Sequence, residues 1–236
     1  NSSQLNATTG EFNTSLGSES MGVGQTTGDH NTAVGYQAGA LMTTGTHNTL
    51  VGGLAGDAIT TGALNTLLGA YAGTGLTVGV HNTAVGYAAL ASEDAHGLNV
   101  AIGYQTLTNQ NAGANAYNVA VGYNTGLSVT TGVENVLIGG LAGDALTSGG
   151  YNVAVGTSSL SASTTSSFNV AVGRSALATN ILGSRNTAIG HQALFTHNVG
   201  TAADTYNTAV GYKAGTLITT GVENTIIGGS AGDAIT

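Results

Sequence analysis

Eleven acidic side chains and six histidines are the groups in this 236-residue chain that could move protons or hold metal ions. Three of the acids, Asp57, Asp144 and Asp233, recur in the tripeptide Gly-Asp-Ala at separations of 87 and 89 residues. Paired-carboxylate hydrolysis needs two such groups within about 10 Å, and these three read as solvated turn carboxylates. The alternative, three chains bringing these acids together on a cation, would show as a calcium-dependent melting temperature. Glu93 and Asp94 form one adjacent pair and read in the same way, as solvated acids on a turn. His30, His47 and His81 each precede an Asn, a place that Leu64, Leu98, Tyr117, Tyr151, Phe168 and Tyr206 fill elsewhere. Interchange of His with Leu and Phe points to packing rather than ligation. With no Cys, thiol catalysis, disulfides and zinc-thiolate sites are excluded together. No Walker loop, nucleophile elbow or HExxH is present. The expectation is a protein that is not an enzyme, with no catalytic residue, no cofactor and no metal.

The positions of these residues follow a repeat. Asn, then Thr or Val, then two mostly apolar residues and a Gly, opens at Asn13, Asn31, Asn48, Asn65, Asn82, Asn99, Asn118, Asn135, Asn152, Asn169, Asn186, Asn207 and Asn224. Nine of the twelve spacings are 17 residues, and the others are 18, 19 and 21. A longer unit of five coils overlies this, since Asn48, Asn135 and Asn224 each open a Gly-Gly-x-Ala-Gly-Asp-Ala coil. Residues 1–236 therefore read as one continuous repeat region, and the cut repeats at both ends suggest a window on a longer chain.

A 17-residue unit is too short for two-helix repeats, and its apolar stretch is short, β-branched and bounded by Gly. This predicts an all-β fold, a parallel β-solenoid of about 13 coils stacked at roughly 4.8 Å, or a rod about 60 Å long. With the Asn as zero, position three is aliphatic throughout, from Leu16 and Val34 to Val210 and Ile227. Position two is Ala, Leu or Ile in every coil but the first, which has Ser15. Alternation puts the two rows on opposite faces of the strand, and a thin coil can bury only one of them. The position-two row, with Ala33, Leu50, Ala84 and Leu137, is expected to face sister chains in a parallel homotrimer. Position five is Tyr, Thr, Arg or His where position two is Ala, and Gly or Ala where it is Leu or Ile. Gly at position four is therefore expected to swing position five over position two into shared, buried space. Later in the coil, either position eight is Leu or it is Gly and position eleven is apolar, so that each coil supplies one core plug. The invariant Asn, in a row from Asn31 to Asn224, reads as a structural amide ladder.

"NTAVG", "NVAIG" and "RNTAIGHQAL" resemble the head repeats of trimeric autotransporter adhesins, and equally the repeats of phage tail-fibre and related surface proteins. The resemblance spans essentially the whole chain. It departs from the adhesin motif in carrying Thr or Val in place of Ser and in its longer period. It implies a left-handed β-roll, three chains wide, displayed for attachment on a virion or bacterial cell surface.

The larger insertions, residues 108–116 and 195–205, are the places where a rigid scaffold would carry recognition. Asn109, Asn111, Asn115, His197, Asn198 and Asp204 are the candidate contacts to a cell-surface glycan or protein. A net charge of −8 with only Arg174, Arg185 and Lys213 as cations argues against nucleic acid. No apolar run reaches the roughly 18 residues of a membrane span. Three further readings stand beside attachment: an architectural extracellular filament, an ice-binding solenoid and a glycan-cleaving tailspike. The ice-binding reading is weakened by Val100, Val119, Val136, Val153 and Val170, which break the Thr row at position one, and the tailspike by the missing carboxylate pair.

Overall fold

The computed structural model describes residues 9–233 and is an all-β parallel solenoid of about 13 coils, with no helix among those residues. The chain divides into two compact units, Asn1–Tyr117 and Asn118–Thr236. In the first, β1 (Thr14–Leu16), β2 (Thr32–Val34), β3 (Thr49–Val51), β4 (Thr66–Leu68), β5 (Thr83–Val85) and β6 (Val100–Ile102) pair in sequence order. In the second, the strands are β7 (Val119–Val121), β8 (Val136–Ile138), β9 (Val153–Val155) and β10 (Val170–Val172), then β11 (Gly183–Ser184) and β12 (Thr187–Ile189). They are followed by β13 (Ala203–Asp204), β14 (Thr208–Val210) and β15 (Thr225–Ile227). β11 and β13 leave the main stack to form a small parallel pair of their own.

Every main strand covers positions one to three of its motif, and within each unit the strands pair without a slip in register. Thr49, Leu50 and Val51 face Thr66, Leu67 and Leu68. Even across the 21-residue spacing, Thr187 faces Thr208, so the insertion is absorbed outside the sheet. A strand of three residues is too short to be stable alone; here the ladder of identical partners supplies the cooperativity of a repeat array.

The coil closes over the position-two side of the strand. Residues at positions minus one, six and eight take left-handed φ values, as at Leu64, Tyr71 and Gly73. These turns bring the rest of the coil back across position two. Ala33, Leu50, Leu67, Ala84 and Leu137 are consequently all 0% exposed. This corrects the expectation that the position-two row faces outward: it lines the core, and position three is the outward row. Position five is corrected as well, because strict alternation continues through Gly at position four. Tyr36, Tyr87, Tyr104, Tyr123 and Tyr212 are exposed on the outer side and share no space with position two.

The volume exchange that does operate inside the core links position two to position eight. All four coils with Leu or Ile at position two (Leu50, Leu67, Leu137, Ile226) have Gly at position eight, and all five with Leu at position eight have Ala at position two. A Cβ on Gly56 would come within 2.8 Å of a Leu67 methyl, and one on Gly39 within 2.7 Å of a Leu50 methyl. Gly at position eight therefore makes room for the large residue of its own coil or the next one. The plugs at both sites are buried, including Leu90, Leu107, Leu160, Met42, Ile59, Leu76 and Leu146. The plug assigned to Ile235 lies outside the described residues.

Candidate functional site

The outward face of each unit is built from positions minus one, one, three and five, which alternation places side by side. Its centre is aliphatic: Leu68 is 47% exposed and Ile138 is 38% exposed on three-residue strands. Two ring columns flank it. At position minus one, Phe12 stacks on His30 at 5.0 Å and His30 on His47 at 4.9 Å. At position five, Tyr87 stacks on Tyr104 at 5.4 Å, and His191 on Tyr212 at 5.3 Å. Coil spacing and ring-stacking distance nearly coincide, so columns of identical positions stack without adjustment.

The second unit adds charge to its minus-one column. Tyr151 and Phe168 lie parallel at 4.8 Å. The Arg185 guanidinium sits 4.6 Å above the Phe168 ring, with Tyr206 on its other side at 5.9 Å. Arg185 Nε donates to Asp204 Oδ2 at 2.9 Å, and the Tyr206 hydroxyl donates to the same oxygen at 3.3 Å. An aromatic, cation and carboxylate cluster of this kind offers flat apolar faces beside hydrogen-bonding groups, a combination suited to sugars and to peptide side chains.

The candidate recognition residues fall into separate environments. Asn109, Asn111 and Asn115 are exposed on the first inserted turn, and Asn115 Oδ1 accepts the Gly97 N–H at 3.2 Å. On the second turn, Asp204 is exposed but engaged with Arg185, while half-buried Asn198 accepts the Gly200 N–H at 3.2 Å. His197 is 0% exposed, with its Nε2 3.5 Å from the Asn207 amide. This corrects its assignment as a receptor contact: it occupies position eleven, which is buried in the coils from Met42 to Ile218, so the side chain lines the core beneath the turn.

Position eleven also holds what the sequence reading missed. In the five coils with Leu at position eight, position eleven is Glu93, Gln110, Ser163, Asn180 or His197, and all five are 0% exposed. Leu at position eight already fills the apolar space, which leaves position eleven to serve the backbone of the following turn. Asn180 shows this most fully: its Oδ1 accepts the Gly183 N–H at 3.1 Å and its Nδ2 donates to the Gly183 carbonyl at 2.7 Å. Glu93 is therefore not a solvated turn acid, and burial raises its pKa above the ordinary carboxylate range. Among the recurrent aspartates, Asp57 accepts the Thr74 hydroxyl of the next coil, and burial raises the pKa of half-buried Asp144.

Burial lowers the pKa of His197, opposed by a hydrogen bond with the Thr219 backbone. A base with a depressed folded-state pKa costs nothing above its unfolded pKa, about 6.5, and destabilises the fold as pH drops below that value. Stability should therefore fall on acidification from pH 6.5 by at most about 1.4 kcal/mol per pH unit from this group. His197→Asn, the residue that Asn180 places at the same position one coil earlier, should flatten that slope in urea titrations at pH 7.5 and 5.0. An unchanged slope would remove His197 as its source.

The invariant Asn row is buried from Asn31 to Asn207, with Asn13 and Asn224 half-buried, and its amides bond from coil to coil within each unit. Asn65 Oδ1 accepts the Asn82 backbone N–H at 2.9 Å, while its Nδ2 donates to Asn48 Oδ1 at 3.1 Å and to the Gly79 carbonyl at 2.9 Å. In the second unit Asn152 has the same contacts, to Asn135 at 3.1 Å and Ser166 at 3.0 Å, with Asn169 N–H donating to it at 3.0 Å. Each amide thus joins two coils and holds a turn.

Comparison with protein-family models, curated proteins and solved structures found no match. No helix among the described residues is long and apolar enough to cross a membrane.

Proposed function

We propose that this chain is a segment of a fibrous surface assembly, a parallel homotrimer displayed outside a virion or bacterial cell for attachment to a glycan or protein receptor. The observation that carries this reading is the outward strand face. Within each unit the aliphatic position-three residues are exposed or half-buried between two ring columns, an apolar surface of the kind that marks an interaction site. Copies of the same chain supply the same face in the same coil order, so closed symmetric packing covers it with like against like. The acidic charge and the absence of a basic stripe fit a protein or sugar partner better than nucleic acid. The family resemblance of the Asn-Thr-Ala-Val-Gly repeats points the same way.

Light scattering on the purified chain should return three times the 23.0 kDa of a single copy. A mass of one copy would overturn the proposal. A second reading, an architectural filament without a specific ligand, is favoured by the inward His197 and by the pairing of Asp204 with Arg185. Replacing Asn109, Asn111 and Asp204 with Ala separates the two. Attachment falls if these turns recognise a receptor and is unchanged if the coils only set length.

A further inference from the structure

The turn at residues 93–96 holds a buried carboxylate with only one of its two oxygens hydrogen-bonded to the turn. Glu93 is 0% exposed. Its Oε1 accepts the His96 N–H at 3.2 Å and lies 3.7 Å from His96 Nδ1. Its Oε2 and His96 Nδ1 are both buried and have no hydrogen-bond partner. A carboxylate oxygen and an imidazole nitrogen buried side by side are costly when neither has a hydrogen bond to replace the water it has lost. The other buried position-eleven side chains are neutral or, in His197, can be so at neutral pH, and Gln110 fills the same place one coil on. The packing therefore does not call for a charge here.

We propose that Glu93, Asp94 and His96 form a binding site for a divalent transition-metal ion of the zinc class. One ligand atom from each, a carboxylate oxygen from Glu93 and Asp94 and a ring nitrogen from His96, lie within 4.8 Å of one another. Among the described residues no other three His, Asp or Glu side chains converge in this way. A tetrahedral zinc ion, with bonds of about 2.1 Å, needs its ligand atoms about 3.4 Å apart, close to the 3.7 Å between Glu93 and His96. Small side-chain rotations close the rest. The imidazole donor and the small number of oxygens favour zinc, cobalt or nickel over calcium and magnesium, which take six or more oxygen-type ligands. A dication would neutralise the charge of Glu93, and exposed Asp94 leaves a coordination position open to water. The turn is pinned from below: the Thr77 N–H and hydroxyl both donate to the Asp94 carbonyl, at 2.6 and 2.9 Å, and the Asn82 amide of the ladder donates to the His96 carbonyl at 3.2 Å.

The test is calorimetric titration of the chelator-treated 236-residue chain with Zn2+ alone, with Co2+ absorption to report nitrogen and oxygen ligation. The wild-type chain should bind one ion per copy with a raised melting temperature. Glu93→Gln, which Gln110 indicates will pack, and His96→Asn, at a partly exposed position, should each weaken binding at least tenfold. Should either variant fail to fold, the other decides the question. No saturable binding by the wild-type chain would overturn the site. Wild-type affinity in a folded variant would do the same and would assign the ion to exposed histidines such as His30 and His47.

Discussion

Gly69→Ala should destabilise the fold by about 3 kcal/mol or more, combining backbone strain with overpacking. Gly69 lies at φ +140, a conformation that L residues avoid, and an added Cβ would stand 2.4 Å from the Gly86 carbonyl oxygen in the next coil. The carbonyl belongs to backbone and a Cβ has no torsion to turn about, so neither atom can rotate away. The same geometry recurs at Gly35, Gly52 and Gly86, which is why position four is Gly in every motif. Gly53→Ala, at position five of the preceding coil, is the internal control: nothing lies within 4 Å of its added Cβ and its φ is ordinary. That change should be neutral or stabilising by a few tenths of a kcal/mol. Urea unfolding of the two variants gives the comparison, and equal losses would show that close coil-to-coil approach does not fix position four.

The second large effect is expected at Asn65. Replacing it with Asp preserves shape but turns the donating Nδ2 into an oxygen facing two acceptors, Asn48 Oδ1 and the Gly79 carbonyl. A buried, unpaired negative charge should cost more than Asn65→Ala, which loses its hydrogen bonds at about 1 kcal/mol each. The two variants also differ in pH dependence. Burial raises the pKa of the new Asp, so its penalty is absent below about pH 3.9, the unfolded-state value, and grows as pH rises through the folded-state pKa. Melting Asn65→Asp, Asn65→Ala and wild type between pH 4 and 8 should show the gap between Asp and Ala widening with pH. A gap independent of pH would mean that the ladder tolerates the charge.

The period of 17, the strand at positions one to three and the plug exchange between positions eight and eleven were all legible, because each repeats a physical requirement many times in one chain. Which face of the strand the coil encloses was not. Alternation separates Ala33 from Val34 but does not say which one the coil encloses, and the left-handed turns at Leu64 or Tyr71 that decide it carry residues with no mark of φ > 0. The invariance of Asn at zero, two places before Ala33, was the available signal: a buried amide ladder must share the inward face with position two. The exchange between positions two and eight was present too, in the pairing of Leu50 with Gly56 and of Ala84 with Leu90. Reading position five as the partner of position two hid it. Glu93 and His197 read as surface groups because position eleven counts as a core site in the sequence pattern only where it is apolar.

The chain has no Cys, so a single Val85→Cys on β5 carries a unique label at the centre of the outward face. Nitroxide labels there should show dipolar coupling between copies at about 20 Å or less, given faces packed about 10 Å apart, and the thiol should react slowly with maleimide in the folded state. A freely reactive thiol with no coupling above background would mean that the face stays in water, and self-association through it would be wrong.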